Sequence, residues 1–159
     1  MRFIPLAAAA AAALFATSAC SQPARPQPAP QINAVEYLAQ NALEPGVKTL
    51  PSGLQYKVVK SGPPGGVKPT LDDRVTVMYA AILPNGTVID STYDKGEPAT
   101  FPLRGLVPAW EVALPMMVPG DEWLLWAPPK LAYGPAGKGP VPPNSALHFR
   151  IELVKVGGQ

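Results

Sequence analysis

Proline is spread so densely through this chain that a helical bundle is excluded: 22 of the 159 residues are Pro, beside 14 Gly. An interior Pro costs a helix about 3 kcal/mol, because it removes an N–H and its ring clashes with the preceding turn. Charged residues make up 15% of the chain and the net charge is only +2. That balance is no nucleic-acid footprint, which needs a dense basic stripe. With one His and one Cys, neither a multi-His or Cys-rich zinc site nor an internal disulfide can form. No cofactor or metal is expected. A nucleophile that needs an imidazole base has only His148 to use.

The first residues read as an address. Met1-Arg2 is a short positive start, Phe3 to Ala16 is apolar, and the stretch is shorter than a membrane span requires. The small residues Thr17-Ser18-Ala19 before Cys20 resemble a bacterial lipobox, with Thr17 where Leu is more usual. The resemblance implies a signal peptide at 1–19, cleavage before Cys20 and lipidation of Cys20, which would hold the protein on a membrane surface. The segment at 20–32, rich in Pro, Ala and Gln, reads as an extended tether.

Asn33 is a candidate N-cap for a short helix with Val35, Leu38, Ala39 and Ala42 at helical spacing, stopped by Pro45-Gly46. Residues 33–50 therefore form a helical lead-in. From Pro51 to 159 the period changes to two. Leu54, Tyr56 and Val58 alternate with Gln55, Lys57 and Val59. Val75, Val77, Tyr79 and Ala81 alternate with Thr76, Met78 and Ala80. Asn85-Gly86 is a strong hairpin signal, with a returning strand from Thr87 to Ser91. Asp121 to Ala127 is strand-like, and Leu147, Phe149, Ile151 and Leu153 share one face of a last strand. One helix fits between Val107 and Leu114, with Pro108 in its first turn. The fold class is α+β: an antiparallel sheet with one face buried under that helix and one wet face.

Residue types that carry familiar chemistry are sparse. Asp72-Asp73 reads as a solvated turn, and His148 as a structural residue on a polar strand face. Ser91 and Thr92 have no His partner in pattern. Gly62-Pro63-Pro64-Gly65-Gly66 lacks the Lys and Ser/Thr of a phosphate loop. Hydrolysis, phosphoryl transfer and metal chemistry have no support. What remains is a set of aromatic residues (Tyr79, Phe101, Trp110, Tyr133, Phe149). Composition and periodicity leave open whether they line a pocket or merely fill a core.

The run from Leu50 to Gly157 resembles the FKBP-type peptidyl-prolyl cis-trans isomerases. Its pieces come in the family's order: Leu50-Pro51-Ser52-Gly53-Leu54-Gln55-Tyr56; Val75 to Tyr79; Asn85 to Thr92; Phe101-Pro102-Leu103; Leu106 to Trp110; Leu131-Ala132-Tyr133-Gly134; and Val141 to Leu147. The resemblance implies a twisted antiparallel sheet of five to six strands wrapped around one short helix, at 51–159. It implies Asp90, Tyr133, Trp110 and Tyr79 as catalytic residues, and Phe101, Ile89, Leu106, Val107, Val141 and Phe149 as substrate-binding ones. Ala81, Ala109, Ala99 and Met78 depart from the family's pattern, and bear on rate and affinity rather than on fold.

The implied activity is acceleration of X-Pro bond rotation in exported or envelope proteins by apolar enclosure of the proline. A weakly catalytic chaperone or binding module for Pro-containing segments is the alternative. Pro-containing polypeptides are the implied partners, with immunosuppressant macrolides as a candidate ligand class and no nucleic acid. The lead-in is too short for the family's long dimerising arm, so a monomer is expected. The implied location is the bacterial cell envelope, lipid-anchored and facing the periplasm, with the outer membrane favoured over the inner.

Overall fold

The computed structural model describes residues 32–157. The expected signal peptide, Cys20 and nearly all of the tether lie outside the described residues. Helix α1 spans Ala34–Asn41, and the Asn33 side chain caps it by accepting from the Val35 N–H at 2.9 Å. Seven strands follow: β1 Lys48–Thr49, β2 Gln55–Lys60, β3 Arg74–Ile82, β4 Val88–Ser91, β5 Ala99–Pro102, β6 Glu122–Ala127 and β7 Leu147–Val156. Helix α2 spans Pro108–Ala113, between β5 and β6.

All seven strands join one antiparallel sheet in the order β1-β2-β6-β7-β3-β4, with β5 also on β3. The α+β class is as expected, and the sheet is one strand larger than the five to six implied. The registers explain the count. β4 pairs with Ala80 to Ile82 and β5 with Arg74 to Val77, both on the edge of β3 away from β7. They are two halves of one edge, parted by the excursion at 92–98. Neither β5 nor the two-residue β1 is long enough to carry a periodic signal.

The inner face follows the alternation. Val75 and Val77 on β3, Leu125 on β6, and Leu147, Ile151 and Leu153 on β7 are fully buried, together with Leu54, Leu103 and Leu114. Six residues make a helix that is marginal alone. α2 is held because Ala109, Trp110 and Ala113 are buried against this face. Pro108 occupies its first turn, where a missing N–H costs nothing.

Two expectations fail on the outer face. α1 was expected to present Val35, Leu38, Ala39 and Ala42, but Val35 is exposed and the covered stripe is Ala34, Tyr37, Leu38 and Asn41. Polar reach decides that phase. The Gln55 side chain donates to the Leu38 carbonyl at 2.8 Å and accepts from the Asn41 amide at 2.7 Å, while Tyr37 meets the Trp126 indole. Gln55 is therefore buried although its position reads as solvent-facing, whereas Val58 and Val59 further along β2 are exposed. Gln55, Trp126 and His148 are successive cross-strand partners, so the lead-in covers part of the face expected to be wet.

Candidate active site

The site opens on the inner face where β3, β4 and β7 meet α2. Phe149 on β7 pairs with Ala81 on β3, which pairs with Asp90 on β4, so the three lie in one row across the sheet. Ala81, the smallest of the row, stands between a ring and a carboxylate and leaves the space between them open. Tyr79 is two residues from Ala81 and faces the same way, which makes Asp90 its diagonal neighbour, within reach of a long side chain. The Tyr79 hydroxyl donates to the Asp90 carboxylate. Thr92 fixes the backbone beneath this pair: its hydroxyl accepts from the Tyr79 N–H at 2.7 Å, and its own N–H donates to the Tyr79 carbonyl at 2.8 Å.

Trp110 is the hub of the aromatic set. Its ring centroid lies 5.0 Å from Tyr79, 5.7 Å from Phe149 and 6.4 Å from Phe101, at interplanar angles of 79°, 76° and 66°. Tyr79 and Phe101 meet edge to face at 6.2 Å. Edge-to-face contacts set the positive rim of one ring against the negative face of the next, worth about 0.5–1.5 kcal/mol each beyond burial. The indole N–H of Trp110 has no hydrogen-bond partner among the described residues. These rings, with Ala81, Ile89, Asp90, Leu106, Val107 and Tyr133, line a cavity of about 180 Å³. That is smaller than the roughly 300–1,000 Å³ of sites that engulf a drug-sized ligand.

Nine of the ten positions named from sequence, Cys20 apart, therefore line one cavity. Val141 does not. It is buried in the core cluster and paired with Lys138 across the loop that carries Tyr133. Ala81, set aside in sequence as a departure, is a lining residue; its inward phase with Tyr79 was the available signal. Ala99 is not among the lining residues; it pairs with Val77 on the β3 edge. Sequence reading also missed Lys95, whose ammonium lies 3.5 Å from the Asp90 carboxylate. No periodic signal could have shown it, because Lys95 sits in the irregular excursion between β4 and β5. His148 lies on the outer face, stacked on Trp126 at 5.0 Å and 6°. Asp72 pairs with Arg104, and Asp73 accepts from the Thr70 N–H and hydroxyl, as expected of a solvated turn.

The polar groups at the rim have fixed charge states. The Tyr79 hydrogen bond, helped by Lys95, holds the Asp90 carboxyl below its ordinary range, so it is ionised at neutral pH. Burial and then the Asp90 bond push the Tyr79 hydroxyl well up, and burial and the Asp90 charge raise Tyr133. Both phenols are neutral donors. No backbone oxygen of a described residue accepts from the Val107 N–H, which precedes α2. A larger hollow of about 570 Å³ lies between α1, Pro128-Pro129 and Pro143-Asn144, but no titratable side chain lines it.

The family model described as FKBP-type peptidyl-prolyl cis-trans isomerase matches residues 65–154, which holds every lining residue of the aromatic cavity. The chain belongs to that family. The domain amino-terminal to FKBP-type isomerases matches residues 8–58. Over 121 residues, 76% of the chain, it is 50% identical to the peptidyl-prolyl cis-trans isomerase Mip of Coxiella burnetii, covering 52% of that protein. It is 46% identical to the outer membrane protein MIP of Legionella longbeachae, over 76% of the chain and 51% of that protein. The crystal structure of a peptidyl-prolyl cis-trans isomerase from Pseudomonas syringae pv. tomato superposes with a TM-score of 0.72 at 33% identity, over 79% of this chain and 91% of that one. The chain thus spans about half the length of these two curated relatives.

Proposed function

We propose that the chain is a peptidyl-prolyl cis-trans isomerase that works by enclosing proline in the aromatic cavity. The observation that carries this reading is the convergence of Tyr79, Phe101, Trp110 and Phe149 on one hollow, with an ionised Asp90 and two neutral phenols at its rim. Amide resonance sets a barrier of about 18–20 kcal/mol to rotation, and an X-Pro bond exchanges in tens to hundreds of seconds at roughly 25 °C. No bond to a nucleophile is needed; the site must favour the twisted amide over both planar forms. Twisting localises the nitrogen lone pair and lowers the amide's charge separation. Water favours the planar, more polar form, so a dry aromatic hollow removes that advantage.

In this reading Trp110 lies under the pyrrolidine ring, with Phe101 and Phe149 as walls. The Tyr133 hydroxyl and the Val107 N–H hold substrate carbonyls, and the Tyr79–Asp90 pair sets the polar edge. A thousandfold acceleration takes about 4 kcal/mol off the barrier. A net hydrogen bond supplies only about 0.5–1.5 kcal/mol, so the apolar enclosure carries most of the effect.

A protease-coupled assay with a proline peptide tests this. Trp110→Leu, which keeps a buried apolar side chain, is expected to lose more than about tenfold in kcat/KM, and Tyr133→Phe less than about tenfold. The reverse order would move the catalysis into the hydrogen bonds. Absence of acceleration at micromolar protein, with peptide binding intact, would leave a binding module instead.

The same proposal assigns 51–159 to the isomerase domain and 33–50 to its lead-in. It assigns 1–19 to a signal peptide and 20–32 to a lipidated Cys20 and tether, in the cell envelope. A relative named as an outer membrane protein, and the apolar run from Phe3 to Ala16 with small residues before Cys20, support the location. Radioactive palmitate should label the wild type and not Cys20→Ala; equal labelling removes the anchor.

A further inference from the structure

We propose that a second hollow beside the aromatic cavity is a subsite for an acidic residue next to the substrate proline, and that Lys138 is the residue that selects it. The proposal rests on the isomerase reading for the identity of the chain being bound. The second hollow, of about 330 Å³, shares Leu106, Val107 and Tyr133 with the aromatic cavity and adds Lys138 as its one charged lining residue. An extended chain advances about 3.3–3.6 Å per residue. A polypeptide with its proline over Trp110 therefore delivers a neighbouring side chain to the adjoining space.

The Lys138 ammonium is placed rather than free. It lies 5.5 Å from the centroid of the Tyr133 ring, over the shared wall of the two hollows, where the ring's negative face attracts a cation. Its backbone is pinned on both sides: the Lys138 N–H donates to the Val141 carbonyl at 3.0 Å, and the Val141 N–H returns a bond at 2.9 Å. Gly137 makes that pairing possible. Its φ is +67°, and a Cβ there would stand 2.4 Å from the Val141 carbonyl oxygen. Among the described residues no carboxylate lies within ion-pair distance of Lys138. Asp90 keeps its charge on Tyr79 and Lys95, and the Glu111 carboxylate accepts from the N–H of Gly105, a lining residue of the second hollow, at 2.7 Å. The second hollow thus presents an ammonium with no ion-pair partner among the described residues beside the place where the proline sits, with the Glu111 carboxylate held at its Gly105 edge.

The test is a set of proline peptides bearing Glu or Lys immediately before or immediately after the proline, assayed for kcat/KM. For one of the two positions the wild type should prefer Glu over Lys by about two- to fivefold at low salt, the range of an exposed ion pair. The ratio should approach unity in Lys138→Ala, invert in Lys138→Glu, and shrink in 1 M NaCl, where the Debye length is about 3 Å. Equal ratios in the wild type and Lys138→Glu at both positions would overturn the subsite while leaving the isomerase intact. If no peptide is isomerised, the isomerase reading fails on its own. Anisotropy of the same peptides, fluorescently labelled, then decides the subsite: Glu-selective binding that Lys138→Glu reverses supports it, and charge-blind binding overturns it.

Discussion

At the scale of single residues, the Tyr79–Asp90 pair shows what a register places and what it leaves to chemistry. The pairing of Ala81 with Asp90 makes the two side chains diagonal neighbours. The hydrogen bond then separates their acidities, lowering the carboxyl and adding to the rise that burial gives the phenol. An Asp whose folded pKa is depressed contributes stability above its unfolded value near 3.9, and that contribution is lost as pH falls through the folded pKa. Tyr79→Phe removes the donor. The variant should melt below the wild type by a constant margin between pH 7 and about 5, and the margin should narrow as Asp90 protonates in both proteins. Thermal melts from pH 7 to 3 measure this; a margin that grows with acid would mean that Asp90 is not the acceptor that matters. The same variant keeps the ring against Trp110, so it separates the hydroxyl from the aromatic wall.

At the scale of elements, α1 is held to the sheet by a side chain that local pattern assigns to solvent. Gln55 is buried, and its amide meets both the Leu38 carbonyl and the Asn41 amide. Removing one partner of a buried hydrogen bond costs about 1–3 kcal/mol, because the other is left without water or protein. Gln55→Ala should lower stability by that amount in urea melts. Hydrogen exchange should quicken across Ala34–Asn41 while β3 and β7 keep their protection. Uniform loss of protection would mean that α1 is part of the same cooperative unit as the sheet. The helix was legible in its Asn33 cap and its Pro45-Gly46 stop. Its docking face was not, because the stripe of Ala34, Tyr37, Leu38 and Asn41 is chosen by polar partners on β2 and β6, distant in sequence. β5 was equally hidden: its four residues become a strand by pairing with β3. The alternation of β7 from Leu147 to Leu153 was legible without any partner.

At the scale of the whole molecule, the inner face builds the cavity and the outer face holds the chain's sole histidine. Burial pushes the His148 imidazole below its ordinary 6.5, and its Nε2 has no partner among the described residues. The unfolded chain therefore takes up a proton near pH 6.5 that the folded one resists. Stability from the neutral ring is complete above pH 6.5 and is lost as pH falls from there through the folded pKa. The wild type should lose melting temperature between pH 7.5 and 5.5, and His148→Gln should flatten that loss. An unchanged slope in the variant would assign the acid sensitivity to other groups. By itself the sequence determined the class of fold, the order and phase of the long strands, and the cap and stop of α1. These depend on covalent rules, spacing of apolar residues and residue counts, which act over a few neighbours. The ordered motifs added the aromatic set as a resemblance. Only the tertiary structure decided that Val141 is buried outside the cavity lining, that Ala81 stands between Phe149 and Asp90, and that Lys95 reaches Asp90. Those facts depend on distances between strands and loops far apart along the chain, and distance across a fold is set by packing and register rather than by spacing in sequence.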